Sequence, residues 1–128
     1  MEIEKVSGDY RPLILVAEDD DSNFKLIKAI IGKKCEILWA KNGEDIVNLF
    51  EENRDKAEAI LMDIKMPIMN GLDATVIIRK KDKELPIIMQ TAYAFTADRE
   101  KASEVLVKPI TLSALRTCLS RYLPKLVW

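Results

Sequence analysis

Short apolar runs alternate with amphipathic segments along the whole of this 128-residue chain. Leu13–Ala17 is continuously apolar, as expected of a strand covered on both faces. Asp20, Asp21 and Ser22 then supply N-cap chemistry, and Phe24, Ile27, Ile30 and Ile31 recur at helical spacing as far as Gly32. Cys35–Ala40 sets Cys35, Ile37 and Trp39 against Glu36 and Leu38. With Lys33 and Lys34 in front of it, this alternation predicts an edge strand. Asn42-Gly43 marks a turn into a second helix with Ile46, Leu49 and Phe50 on one face. Ala59–Met62 predicts another buried strand, and "KMPIMNG" a loop punctuated by Pro67 and Asn70-Gly71. A third helix is expected over 72–81, with Leu72, Val76 and Arg79 as its stripe. Beyond Pro86 come a strand over 87–90, a fourth helix over 97–104 and a strand over 105–107. Leu112, Leu115 and Leu119 line a final helix that ends near Pro124.

Strand and helix thus alternate five times. That pattern predicts an α/β fold: a doubly wound, five-stranded parallel sheet with right-handed crossovers and helices on both faces. The edge character of 35–40 fits strand order 2-1-3-4-5, one of the two common doubly wound orders, in which strands 1 and 3 are neighbours. Residues 12–124 are expected to form one domain, with 1–11 a polar tail or linker and 125–128 a short C-terminal tail. One junction fits poorly. The expected fourth helix runs straight into "VLVKPI", whereas a helix-to-strand connection ordinarily takes about 2–6 residues. Either several residues are missing from this stretch, or the helix unwinds early to make the turn.

Composition narrows the function. Apolar residues make up 48% of the chain, enough for a real core, and 20 basic residues balance 21 acidic ones. There is no basic footprint for nucleic acid and no cationic run for a membrane surface. No apolar stretch approaches a membrane span, and the charged start "MEIEKVSGDYRP" does not read as a secretory signal. Cys35 and Cys118 lie in apolar-patterned segments without a CxxC partner and read as buried thiols of a reducing cytoplasm. With no histidine in the chain, histidine general-base chemistry and histidine zinc sites are excluded from these residues.

The ends of the apolar runs carry the chemistry. Glu18 and Asp19 close the first run, Asp63 closes the third strand, and Lys108 ends the last and precedes Pro109. In a parallel sheet these ends lie along one edge, where ligands bind. Two carboxylates about 4 Å apart repel by roughly 4 kcal/mol at an effective dielectric near 20. A hard divalent cation with oxygen ligands relieves that repulsion, and Mg²⁺ is the usual occupant where phosphate is handled.

"LVAEDDDSN", "ILMDIKMPIMNGLDAT", "IIMQTAYAFTADREKA" and "VLVKPI" together give the chain a family likeness. It resembles the receiver domain of two-component response regulators from about Leu13 to Leu123, closest in flavour to receivers carried on hybrid sensor histidine kinases. The resemblance implies a flavodoxin-like receiver fold with Asp63 as phosphoacceptor. Mg²⁺ would be held by Glu18, Asp19, Asp63 and the backbone carbonyl of Lys65. Thr91 and Lys108 would sense the phosphoryl group, and Val105 and Pro109 would belong to the switch and its turn, with the peptide before Pro109 cis. Implied partners are a histidine kinase or a histidine phosphotransfer protein, with a homodimer open. Phosphorylation would switch the helix 4–strand 5–helix 5 face of this phosphorelay domain. Receivers usually carry an aromatic residue where this chain has Val105, and Tyr93 is the nearest substitute. By the same comparison, about five residues are missing before strand 5. Three other readings stand beside this one. A Mg²⁺-dependent aspartyl-phosphate phosphatase usually has an acid two residues beyond its nucleophile, where this chain has Lys65. A receiver-like interaction module that is never phosphorylated would not need Glu18, Asp19, Asp63, Thr91 and Lys108 together. A flavodoxin-type cofactor module would need a phosphate loop in place of acidic "EDDDSN".

Overall fold

A computed structural model describes residues 10–93 and 100–128. Its elements run β1 (Leu13–Ala17), α1 (Asp21–Ile31), β2 (Glu36–Ala40), α2 (Gly43–Glu52), β3 (Ala57–Asp63), α3 (Gly71–Lys81), β4 (Ile87–Thr91), β5 (Glu104–Val107) and α4 (Leu112–Tyr122). The five strands are parallel and ordered β2-β1-β3-β4-β5, the order that the edge character of 35–40 fits.

Alternation along the strands divides the core in two. Ile14 and Val16 of β1, Ala59 and Leu61 of β3 and Ile88 of β4 face α1 and α4, where Ile27, Ile31, Leu115, Cys118 and Leu119 meet them. Leu15, Ala17, Ile60, Met62 and Ile87 face the other way, onto Ile46 and Phe50 of α2 and Ala74 and Ile78 of α3. β1 and β3 are therefore apolar along nearly their whole length because both faces are covered.

Helix starts follow local chemistry. Asp20 accepts from the backbone N–H groups of Ser22 and Asn23, Asn42 from Asp45, Asn70 from Asp73, and Thr111 from Ala114. Each bond satisfies a backbone donor that the first turn leaves open.

Several expectations need correction. α3 does not bury Leu72, Val76 and Arg79. Its inward face is Gly71, Ala74, Thr75 and Ile78, small residues that let it close onto the sheet and α2. Arg79 instead donates to the carbonyls of Lys101, Asp82 and Leu85. Leu112 is half exposed at the first turn of α4, where Cys118 is buried in its stead. The expected helix over 97–104 lies partly outside the described residues. Residues 100–103 form turn and bend, and Glu104 already belongs to β5. Residues at the described ends of the chain also pack on the domain. Tyr10 donates to Glu58 at 2.7 Å, Leu126 is buried, and the Trp128 indole donates to Ser120 at 3.0 Å. Cys35 and Cys118 are free and buried, and burial pushes their thiols up to about 11 and about 12.

Candidate functional site

The carboxyl ends of β1, β3, β4 and β5 open onto a cleft of about 410 Å³ lined by Glu18, Asp19, Asp63, Lys65, Thr91 and Lys108 among others. Glu18 is the first residue past β1 and is fully buried. Its N–H donates to the Ala40 carbonyl at 2.9 Å, and its own carbonyl accepts the Trp39 indole N–H at 2.8 Å. Its carboxylate accepts from the Asp20 N–H at 3.2 Å and from Lys108 Nζ at 3.3 Å. Asp63 is the last residue of β3 and is 4% exposed, so ionising it takes the charge out of water. Lys108 Nζ donates to its Oδ1 at 3.2 Å. Asp19 is exposed at the rim. One oxygen from each of Glu18, Asp19 and Asp63 lies within 4.8 Å of the others.

The grouped carboxylates of Glu18, Asp19 and Asp63 outnumber the Lys108 ammonium that pairs with two of them. Burial, reinforced by the Glu18 charge and opposed by Lys108, pushes the Asp63 carboxyl up to about 7. Burial alone would lower Lys108, but the Asp63 and Glu18 carboxylates outweigh it and hold the ammonium above the ordinary lysine range. Every acid in the cluster offers hard oxygen, the donor type that Mg²⁺ takes and softer metals do not require. The residues therefore fit a hard divalent cation.

Backbone contacts hold Asp63 in place. The Gly71 N–H donates to the Ile64 carbonyl at 2.7 Å, and the Ile64 N–H to the Gln90 carbonyl at 3.2 Å. A Cβ at Gly71 would run into the Asp63 carbonyl oxygen, so only glycine lets α3 start this close to the nucleophile candidate. Ile68, at the tip of the β3–α3 loop, has φ of 70°, a sparsely populated conformation for a β-branched residue.

Thr91 ends β4 and is buried. Its hydroxyl donates to the Tyr93 carbonyl at 3.1 Å and accepts from the Tyr93 N–H at 3.0 Å. Lys65 lines the same cleft. Val105 is half-buried in β5 and does not line it, and Tyr93 is 56% exposed. The peptide before Pro109 is cis. Sequence reasoning missed Trp39 as a partner of Glu18, although its place on the alternating edge strand put it on the side of α1. It also missed Gln90, a fully buried side chain on β4 whose polar interruption of an apolar run was visible.

Comparisons with known proteins agree with this geometry. The family model for the response regulator receiver domain matches residues 14–120. Hybrid signal transduction histidine kinase I of Dictyostelium discoideum is 39% identical over 110 residues, covering 76% of this chain and 6% of that protein. The autoinducer 1 sensor kinase/phosphatase LuxN of Vibrio harveyi is 31% identical over 123 residues, covering 92% of this chain and 14% of that protein. The chain thus spans only a small fraction of these curated relatives. A receiver domain of a sensor histidine kinase from Pseudomonas aeruginosa, solved with magnesium coordinated in its active-site cleft, superposes with a TM-score of 0.80. It is 30% identical and covers 88% of this chain and 98% of that one. TrrA of Thermotoga maritima, solved in complex with Mg²⁺ and BeF, likewise gives 0.80 at 30% identity, covering 88% and 99%. Receiver domains bind Mg²⁺ at their acidic site, and this chain carries the corresponding Glu/Asp/Asp cluster. With the family model covering most of its length and the acids gathered at one sheet edge, the chain belongs to the response regulator receiver domain family of two-component systems.

Proposed function

We propose that this receiver takes a phosphoryl group from a phosphohistidine onto Asp63. The single observation that carries the reading is the buried Asp63 carboxylate, 3.2 Å from Lys108 and grouped with Glu18 and Asp19. An Asp63 oxygen attacks phosphorus, the bond to the donor nitrogen breaks, and an acyl phosphate forms as the donor imidazole departs with the electron pair. Glu18, Asp19, Asp63 and the Lys65 carbonyl would hold Mg²⁺, which would supply positive charge for the phosphoryl oxygens. Lys108 adds a compact point charge to the same end. The product carries about −1.5 to −2 charges and three acceptor oxygens. Lys108 then trades its pairing with Asp63 for the phosphoryl group, and the Thr91 hydroxyl leaves the Tyr93 backbone to meet it. Those two movements bias the face around β5 and α4, where Val105 stands in place of an aromatic reporter. The domain catalyses its own phosphorylation and slow hydrolysis, works in the cytoplasm, and receives from a histidine kinase or exchanges with a histidine phosphotransfer protein. Lys65, standing two residues past Asp63, disfavours a phosphatase reading.

Incubation with acetyl phosphate and Mg²⁺ tests this reading. The parent is expected to gain the mass of one phosphoryl group, and Asp63→Asn none. Equal labelling of both proteins would refute Asp63 as the acceptor.

A further inference from the structure

We propose that Trp39 is a positioning residue for the acidic pair: its indole N–H holds the Glu18 carbonyl and so aims Glu18 and Asp19 at a divalent cation. The inference rests on the Mg²⁺ reading above and adds a residue outside the cleft to it.

Glu18 lies one step past the last β1–β2 pair, Ala17 with Ala40. Its N–H still reaches the Ala40 carbonyl, but β2 ends there and offers no further backbone donor in register. The Glu18 carbonyl is met by a side chain instead, the Trp39 indole at 2.8 Å. That carbonyl and the Asp19 N–H share one rigid peptide plane. Fixing the oxygen therefore sets the direction in which the chain leaves for Asp19, the exposed member of the cluster.

The indole is itself held. It stacks on Phe24 of α1 with centroids 3.9 Å apart and planes 2° from parallel. Lys41 Nζ lies 4.8 Å from its ring centre and pairs with Asp21 at 3.0 Å. Rotating the ring away from Glu18 would break the stack. The bond consequently ties the loop that carries two acids to both β2 and α1. Only tryptophan, among the large aromatic residues, presents a donor from the ring body while stacking in this way.

Calorimetric titration with Mg²⁺ separates this from simple packing, using the parent, Trp39→Phe and Ile37→Ala. Phenylalanine keeps an aromatic face for Phe24 and loses the donor. Ile37 lies on the same face of β2 and packs on the core without reaching Glu18. Trp39→Phe is expected to weaken Mg²⁺ binding roughly three- to tenfold. With acetyl phosphate it should raise the Mg²⁺ concentration for half-maximal phosphorylation while the rate at saturating Mg²⁺ stays near the parent's. Ile37→Ala should lower the melting temperature and leave Mg²⁺ affinity within twofold. The proposal is overturned if Trp39→Phe binds Mg²⁺ within twofold of the parent, or if Ile37→Ala weakens it as much. A parent protein that binds no Mg²⁺ overturns the site reading itself, and this inference with it.

Discussion

The two sides of the cleft are built to different standards. On the β1–β3 side, Leu15, Val16, Ala17, Leu61 and Met62 are wholly buried, and backbone bonds through Ala40, Ile64 and Gly71 brace the residues that carry acids. On the β5 side, Glu104, Val105 and Leu106 are only half-buried and Val107 is 50% exposed. A phosphoryl acceptor needs its carboxylates held to within a fraction of an ångström, and dense packing on both sheet faces provides that. A signalling surface needs the reverse, elements whose rearrangement costs little. The fold places the densely packed part and the more exposed part on either side of one ion pair, Lys108 with Asp63.

The sharpest way to break that contrast is to cut into the densely packed side. Met62→Ala removes a fully buried side chain from β3 and should cost about 2–5 kcal/mol in urea unfolding. A loss below about 1 kcal/mol would show that β3 is no better packed than β5.

Next in size is the charge stored at Asp63. Its carboxyl is raised from 3.8 to about 7 in the folded protein, so the folded state holds the proton more tightly than the unfolded chain does. Well below pH 3.8 the group is protonated in both states and contributes no pH dependence. Without Mg²⁺, stability should fall as pH rises from about 4 to about 7 and level off above. Asp63→Asn should remove that slope and gain about 2–4 kcal/mol at pH 8. A tenfold change in proton affinity is worth about 1.4 kcal/mol, and the variant forfeits part of the gain by leaving Lys108 without its Asp63 partner. A parent whose stability rises across that range, with the variant following it, would contradict the assignment.

Mg²⁺ should relieve the same repulsion. At one hundred times its dissociation constant it adds about 2.7 kcal/mol to stability, with affinity declining as pH drops below about 7 and protons compete for Asp63. Thermal denaturation with and without Mg²⁺ at two pH values checks both statements. The smallest effect sharpens the comparison from the other side. Val107→Ala should cost less than about 0.5 kcal/mol, because half of that side chain is already in water.

Much of this was legible in the order of residues. Continuous apolar runs marked β1 and β3 because both faces of those strands are covered, and the acids at their ends marked the cleft. Cap residues such as Asn42 and Asn70 act over three positions, so local sequence carries their whole effect. The misreadings arose where a neighbour decided the outcome. Leu72 and Val76 form a plausible apolar stripe, yet α3 turns its smaller residues inward because Gly71 must approach Asp63. Glu104 has helical composition but pairs with Ile88 as strand, a choice made by the open edge of β4. Arg79 looked like part of a helix stripe and became a backbone clamp on the turn before β5.

Taken by itself, the order of residues settled the α/β class, the strand sequence around β1 and β3, and the grouping of Glu18, Asp19, Asp63 and Lys108 at one edge. These follow from periodicity and from the rule that parallel strands end together. Tertiary structure alone decided how deeply each acid is buried, hence how far the proton affinity of Asp63 is raised. It also decided that Trp39 reaches Glu18 across the sheet edge. Burial and long-range hydrogen bonds depend on atoms brought close by folding, and linear spacing carries no record of them.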